Sequence, residues 1–203
     1  MPAIYYRFYQ TTSDSPKDIH DLEHKIGLEL LQIGLYQFFH LSLSENELDS
    51  ILSKGEHGKP YLNGYPHIHF NLTHCKNMVA CAFDTKPVGI DCELPRKYLD
   101  SVTKKTFSHQ EKCFLEKIAS SDDEKQKWFF RFWTLKEAYV KMSGTGITVP
   151  LDHISFSFTG EAEPYKIQCF DPEVSCFQHA FDSGHILSLC HCSDDSSISF
   201  YEV

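Results

Sequence analysis

An α+β fold is predicted for this chain of 203 residues, and three observations predict it. Two long stretches, Ile19 to His40 and residues 122–142, carry apolar side chains at helical spacing. Between and after them lie short runs rich in aromatic and β-branched residues, too short for helices and separated by turn-forming residues. Each half of the chain runs strand, helix and then strands, with Met78-Val79-Ala80-Cys81-Ala82-Phe83 and Ile186-Leu187-Ser188-Leu189-Cys190-His191 alike in texture. Helices set apart from mostly local strands give an α+β class rather than a regular βαβ alternation.

Taken in order, Ala3 to Tyr9 reads as an aromatic strand, and Ser13 to Lys17, containing Pro16, as a polar break. The first long helix follows, with Leu22, Ile26, Leu30, Ile33 and Phe38 on its apolar positions. Ser44-Glu45-Asn46-Glu47 has the pattern of a capping box opening a second helix into Leu48, Ile51 and Leu52. Gly55 to Pro60 reads as a loop, and 67–70 and 78–83 as two strands around a short polar turn. A new unit is expected to begin near Pro87 with a strand over 88–93, followed by a basic segment from Arg96 to Lys105. Helices are expected over 108–119 and 122–142, the second stopped by Gly144 and Gly146. Strands are expected over 152–158, 165–170, 174–181, 185–191 and 198–203.

With 41% hydrophobic and 14% aromatic residues the chain can bury a real core. No apolar run approaches the roughly 20 residues of a membrane span, and residues 1–7 lack the features of a secretory signal. A cytoplasmic protein with no membrane partner is expected, its eight cysteines as free thiols. Cys190-His191-Cys192 with His185 is a poor zinc signal, because one strand-like stretch without a partner pair seldom encloses a tetrahedral ion. A net charge of −9 argues against nucleic acid as a partner.

Two acidic clusters carry the candidate chemistry. In Gly89-Ile90-Asp91-Cys92-Glu93, residues two apart on a strand share a face, roughly 6.5–7 Å apart. Asp91 and Glu93 would project together and repel unless a cation lies between them. Oxygen donors at this spacing suit Mg²⁺, which fills its remaining sites with water and substrate phosphate. Gly89 would let another backbone approach closely. In Trp133-Thr134-Leu135-Lys136-Glu137-Ala138-Tyr139-Val140-Lys141, Trp133, Glu137 and Lys141 are spaced by four and stack along one helix face. Glu137 would complete the metal site with Asp91 and Glu93, and Lys141 would neutralise a phosphate oxygen. Lys136 projects about 100° away, toward a different contact. Each cluster alone also fits a solvated edge or an ordinary exposed Glu–Lys pair.

Together with Gly58-Lys59-Pro60 and Asn71-Leu72-Thr73-His74, in that order and spacing, these clusters resemble the Sfp-type 4′-phosphopantetheinyl transferases over about residues 55–150. The resemblance implies two similar α+β subdomains in a pseudo-twofold arrangement, 1–88 and 89–203, with coenzyme A in the cleft between them. It implies Asp91, Glu93 and Glu137 as Mg²⁺ ligands and Lys141 as the pyrophosphate contact. Lys59 and Pro60 are implied as adenine-side and phosphate contacts, and His74 as a contact to a coenzyme A phosphate, the 3′-phosphate. Thr73 stands where many members have serine, its hydroxyl able to make the same hydrogen bond. Lys25, in the first long helix, is the counterpart of basic residues that contact the 3′-phosphate. The implied reaction is attack by a carrier-protein serine on the β-phosphorus of coenzyme A, releasing adenosine 3′,5′-bisphosphate, with Glu137 as first candidate for the base. The implied partners are coenzyme A and an acyl or peptidyl carrier protein, with Arg96, Lys97, Lys104 and Lys105 as a basic stretch able to steer it, and the implied state is a monomeric pseudo-dimer. The alternatives are a coenzyme A-binding module without catalysis, a different Mg²⁺ phosphotransferase, and a zinc or redox protein built on the cysteines. The second would show a Gly-x-x-x-x-Gly-Lys-Ser/Thr loop, which the sequence lacks.

Overall fold

A computed structural model describes residues 1–98, 100–118, 121–160, 163–194 and 197–203. Strand β1 (Ala3–Phe8) leads to helix α1 (Pro16–Phe39), which begins earlier than its apolar spacing suggests. Pro16 sits in the first turn, where a missing N–H costs nothing, and Ser15 caps the helix by accepting from Asp18 N. His40 closes it in the left-handed conformation. Helix α2 (Glu45–Ile51) carries the full capping box between Ser44 and Glu47. Strands β2 (Leu52–Lys54) and β3 (Pro60–Leu62) form a small hairpin that holds the Gly58-Lys59-Pro60 turn.

β4 (His69–Cys75) runs further than the expected 67–70, leaving only Lys76 and Asn77 as the turn before β5 (Met78–Asp84). Asn71 and Thr73 look like turn residues, but their polar groups are satisfied sideways, by main-chain N–H groups of β6 (Val88–Glu93). Part of the basic segment is helical, as α3 (Asp100–Thr106). Helix α4 (His109–Ile118) follows; its expected end at residue 119 lies outside the described residues. Helix α5 (Asp122–Ser143) starts on a Ser121 cap and ends at Gly144 with φ 69°. The expected strand over 152–158 is instead a 3-10 turn, Leu151–His153, followed by β7 (Phe156–Thr159). The Lys136 ammonium draws the carbonyls of Leu151 and Ile154 inward, which bends this segment out of a strand. β8 (Lys166–Cys169), β9 (Ser175–Ala180), β10 (Ile186–His191) and β11 (Ser199–Glu202) complete the chain.

One sheet has the order β11-β1-β5-β4 and another β6-β10-β9, with β7-β8 as a separate hairpin. All pairings are antiparallel except β1 with β11. Side-chain alternation assigns the layers. Val79, Cys81 and Phe83 of β5 pack beneath Ile26, Leu30, Leu31 and Leu35 of α1. Ile186 and Cys190 of β10 pack beneath Phe132, Leu135 and Val140 of α5. Ile4, Met78, Ala80 and Ala82 of the first sheet meet Val88, Ile90, Leu187 and Leu189 of the second in a third cluster between the sheets. The layers therefore run helix, sheet, sheet, helix in an α+β whole, with β11 from the second half completing the first sheet. All eight cysteines are free thiols. Among the described residues no helix is long and apolar enough to cross a membrane.

Candidate active site

The site begins with a missing side chain. At Gly89 a Cβ would stand 2.1 Å from Ala138 O and 2.2 Å from Met142 N, so α5 lies directly on the β6 backbone. With the helix seated there, Glu137 and Lys141, four residues apart, hang over the face of β6 that carries Asp91 and Glu93. The close approach expected of Gly89 is thus an approach by α5 itself.

Lys141 Nζ lies 2.6 Å from Asp91 Oδ1, an ion pair between a carboxylate side chain 9% exposed and an ammonium side chain 30% exposed. Thr73 Oγ1, from β4, donates to the same Asp91 oxygen at 3.2 Å and accepts from Cys92 N at 3.2 Å and Lys141 Nζ at 3.3 Å. Two residues earlier, Asn71 Oδ1 accepts from Ile90 N at 2.9 Å. The edges of the two sheets are stitched here by side chains instead of a backbone ladder, and Asp91 sits in the seam. Burial raises the Asp91 carboxyl above the ordinary aspartate value despite Lys141. Glu137 is raised as well, by burial first and then by the negative charge of Asp91. Lys141 goes up: burial alone would lower it, but Asp91 outweighs that and keeps it an ammonium ion.

Two raised carboxyls, Glu137 pushed up in part by the charge of Asp91, are a setting that a cation relieves. Asp91 Oδ2 is buried with no hydrogen-bond partner, an open oxygen donor of the hard kind that Mg²⁺ takes. Glu93 is engaged elsewhere, its carboxylate on Arg96 at 2.5 Å, with the Arg96 guanidinium also over the Phe130 ring at 5.2 Å. Among the described residues no three His, Cys, Asp or Glu side chains form a ready ligand set. Asp91 and Glu137 fit a divalent cation in chemistry and charge, and Glu93 could join them by leaving Arg96.

Lys59, Pro60, Asn71, Leu72, Glu137 and Lys141 line one cleft of about 280 Å³ between the β2–β3 hairpin, β4 and α5. Lys59 Nζ donates to Met142 O at 2.7 Å and Val88 O at 3.2 Å, tying the hairpin to the last turn of α5. Its burial lowers the ammonium to about 8. His74, on the opposite side of β4 from Thr73, is 53% exposed and bonded through Nδ1 to Glu23 of α1. Lys25 is placed differently: it lines a separate groove between α1 and α2 with Glu29, Glu45 and Asp49. Lys136 is wholly buried on Glu111 at 2.8 Å, and Trp133 stacks on Phe129, so both belong to the core of the second half. Glu23 is a member of this region that the sequence alone does not single out; Asn71 opens the Asn71-Leu72-Thr73-His74 motif, but its bond to Ile90 N is not read from it. Asn71 stands one strand period before Thr73, a usable signal; Glu23 shows none, being one acid among many.

The family model described as the 4′-phosphopantetheinyl transferase superfamily matches residues 87–190, just over half of the chain. A "4′-phosphopantetheinyl transferase" of Bacillus subtilis is 32% identical over 138 residues, 68% of this chain and 60% of that one. The "4′-phosphopantetheinyl transferase Sfp" of Bacillus subtilis strain 168 is 31% identical over 149 residues, 72% of this chain and 65% of that one. The "4′-phosphopantetheinyl transferase HetI" of a Nostoc species is 42% identical over 102 residues, 49% of this chain and 41% of that one. The chain thus spans less than two thirds of the length of these curated relatives. The matched region contains Gly89, Asp91, Glu93, Glu137 and Lys141, the residues assembled where α5 crosses β6. On this match the chain belongs to the 4′-phosphopantetheinyl transferase superfamily.

Proposed function

We propose that the protein transfers the 4′-phosphopantetheine arm of coenzyme A to a serine of an acyl or peptidyl carrier protein, with release of adenosine 3′,5′-bisphosphate. The observation that carries this reading is the meeting of Asp91, Glu137 and Lys141 beside a cleft that Lys59 and Pro60 also line. The two halves of the chain, 1–88 and 89–203, supply the two sides of that cleft in one monomer, and the last strand, β11, returns to the first sheet.

A pyrophosphate is anionic, so the main tasks are to neutralise charge and to align the attack. Lys141, held charged by Asp91, supplies a fixed ammonium ion for the pyrophosphate oxygens. Lys59, which lines the same cleft, adds a second ammonium. Asp91 and Glu137, with Glu93, would hold Mg²⁺, which when bound acts as a Lewis acid toward phosphate oxygens. The serine oxygen attacks the β-phosphorus, its proton goes to Glu137, and the bond to the departing nucleotide phosphate breaks. A carboxyl raised by burial and by a neighbouring carboxylate is a better proton acceptor than an exposed glutamate. Lys104 and Lys105, exposed in the last turn of α3, offer positive charge to an acidic carrier.

The test is mass spectrometry of an apo carrier protein incubated with the purified chain, coenzyme A and Mg²⁺. A gain of one phosphopantetheine per carrier is expected. Glu137→Gln is expected to cut the rate by about 10³-fold with an unchanged melting temperature. Near-normal turnover by that variant would remove Glu137 from the chemistry. Coenzyme A binding without any mass gain on a panel of carriers would favour a binding module.

A further inference from the structure

Outside the cluster around Asp91, one buried carboxylate has a partner pattern that packing does not require. Glu23 lies on the inner side of α1, 8% exposed. Its Oε1 accepts from the Tyr9 hydroxyl at 2.5 Å, and its Oε2 receives His74 Nδ1 at 3.0 Å. A carboxylate only accepts, so Nδ1 must carry the hydrogen of this contact. Tyr9 cannot turn the carboxylate loose by ionising, because burial and the bond to Glu23 push its phenol up to about 12. His74 itself stands on β4 next to Thr73, with about half of its side chain in solvent and the His20 ring edge-on at 6.4 Å. The ring is therefore pinned at Nδ1 while Nε2 is left for something outside the fold.

We infer that Glu23, clamped by Tyr9, is a positioning residue that holds His74 ready for a phosphate monoester of the bound substrate. This deepens the reading of His74 as a coenzyme A phosphate contact and rests on it. Glu23 touches no substrate. It fixes the ring before binding, so the order that a free surface histidine would have to acquire on binding is already present. The chemistry demanded of the ligand is a terminal phosphate one strand period along β4 from Leu72, which lines the cleft.

The experiment measures dissociation constants of the intact chain for coenzyme A and for 3′-dephospho-coenzyme A by calorimetry. Wild type is expected to prefer coenzyme A, and His74→Ala to narrow that preference about tenfold. The double variant Tyr9→Phe/Glu23→Leu, which leaves no stranded polar group on Tyr9, is expected to narrow it three- to tenfold. Its affinity for the dephospho compound should stay unchanged, and it should add nothing in the His74→Ala background. If His74→Ala narrows the preference but the double variant does not, Glu23 has no positioning role while the reading of His74 stands. If His74→Ala leaves the preference intact, that reading fails and takes the inference with it. Equal weakening of both ligands by the double variant would mark a merely structural role and overturn the inference. Should the double variant not fold, Glu23→Gln keeps the size and removes the charge. About a threefold narrowing is then expected, and none would overturn the proposal.

Discussion

The Thr73 hydroxyl has one proton to donate and two lone pairs, and all three are engaged: Asp91 takes the proton, while Cys92 N–H and the Lys141 ammonium take the lone pairs. A group saturated in this way and buried has nothing left for a ligand, so its effect must pass through Asp91 and Lys141. Thr73→Ser keeps all three bonds and is expected to retain transfer within about threefold. Thr73→Val keeps the shape, strands the Cys92 N–H and frees Lys141; about a 10²-fold loss in kcat at saturating coenzyme A is expected. Steady-state kinetics on both variants checks this, and a Val variant as active as wild type would remove the hydroxyl from the site's geometry. Lys59 has a different signature. Burial lowers its ammonium to about 8, so above that pH the free protein loses the charge that an anionic ligand would meet. Coenzyme A affinity is expected to be flat below about pH 8 and to fall by up to about tenfold per pH unit above it. Lys59→Arg keeps its charge throughout and should flatten the decline. A titration by calorimetry between pH 7 and 9.5 reads both.

The contact of α5 with β6 decides whether the site exists at all. Glu137 and Lys141 gain their positions from the helix, and the helix gains its height above the strand from Gly89. A methyl group there would overlap the Ala138 carbonyl and the Met142 amide, both main-chain atoms that cannot rotate away. Gly89→Ala is expected to cost about 3 kcal/mol by overpacking, read from urea denaturation. If the variant still folds, it should lose transfer as well, because the helix must lift its acid and its lysine off Asp91. Full activity would mean that the height of α5 is not critical. The same helix turns Lys136 the other way, into a wholly buried ion pair with Glu111 whose remaining protons go to the Leu151 and Ile154 carbonyls. Two lysines five positions apart on one helix thus serve opposite sides of it, one sealing the core and one lining the cleft.

At the scale of the molecule, the two halves are joined by a shared apolar layer between their sheets, by the Asn71 and Thr73 stitches, and by β11, which returns from the second half to pair with β1. Such a joint should not open alone. Unfolding in urea is expected to be a single transition, with fluorescence of Trp128 and Trp133, both on α5, coinciding with the far-UV signal of the whole chain. Two separated midpoints would show that the halves melt independently.

The elements that carry strong local signals were legible in the residues alone. The two long helices follow from apolar spacing and caps, β5 and β10 from unbroken apolar runs, and the acid–lysine set from four motifs in order. Period two on a strand and period 3.6 on a helix put Asp91 with Glu93 and Glu137 with Lys141 on shared faces, but it was the resemblance carried by all four motifs that joined them into one expected site. What sequence could not convey is satisfied across distance. Asn71 and Thr73 read as turn residues because their partners lie on another sheet. Lys136 and Lys141 differ only in which side of α5 faces which neighbour. Leu151 and Ile154 leave the strand pattern because a lysine from α5 claims their carbonyls. Glu23 has no mark of its own until Tyr9 and His74 are brought to it. Local periodicity is written in neighbouring residues, whereas the partner of a buried polar group is chosen by the packing of whole layers, and there the tertiary structure alone decided.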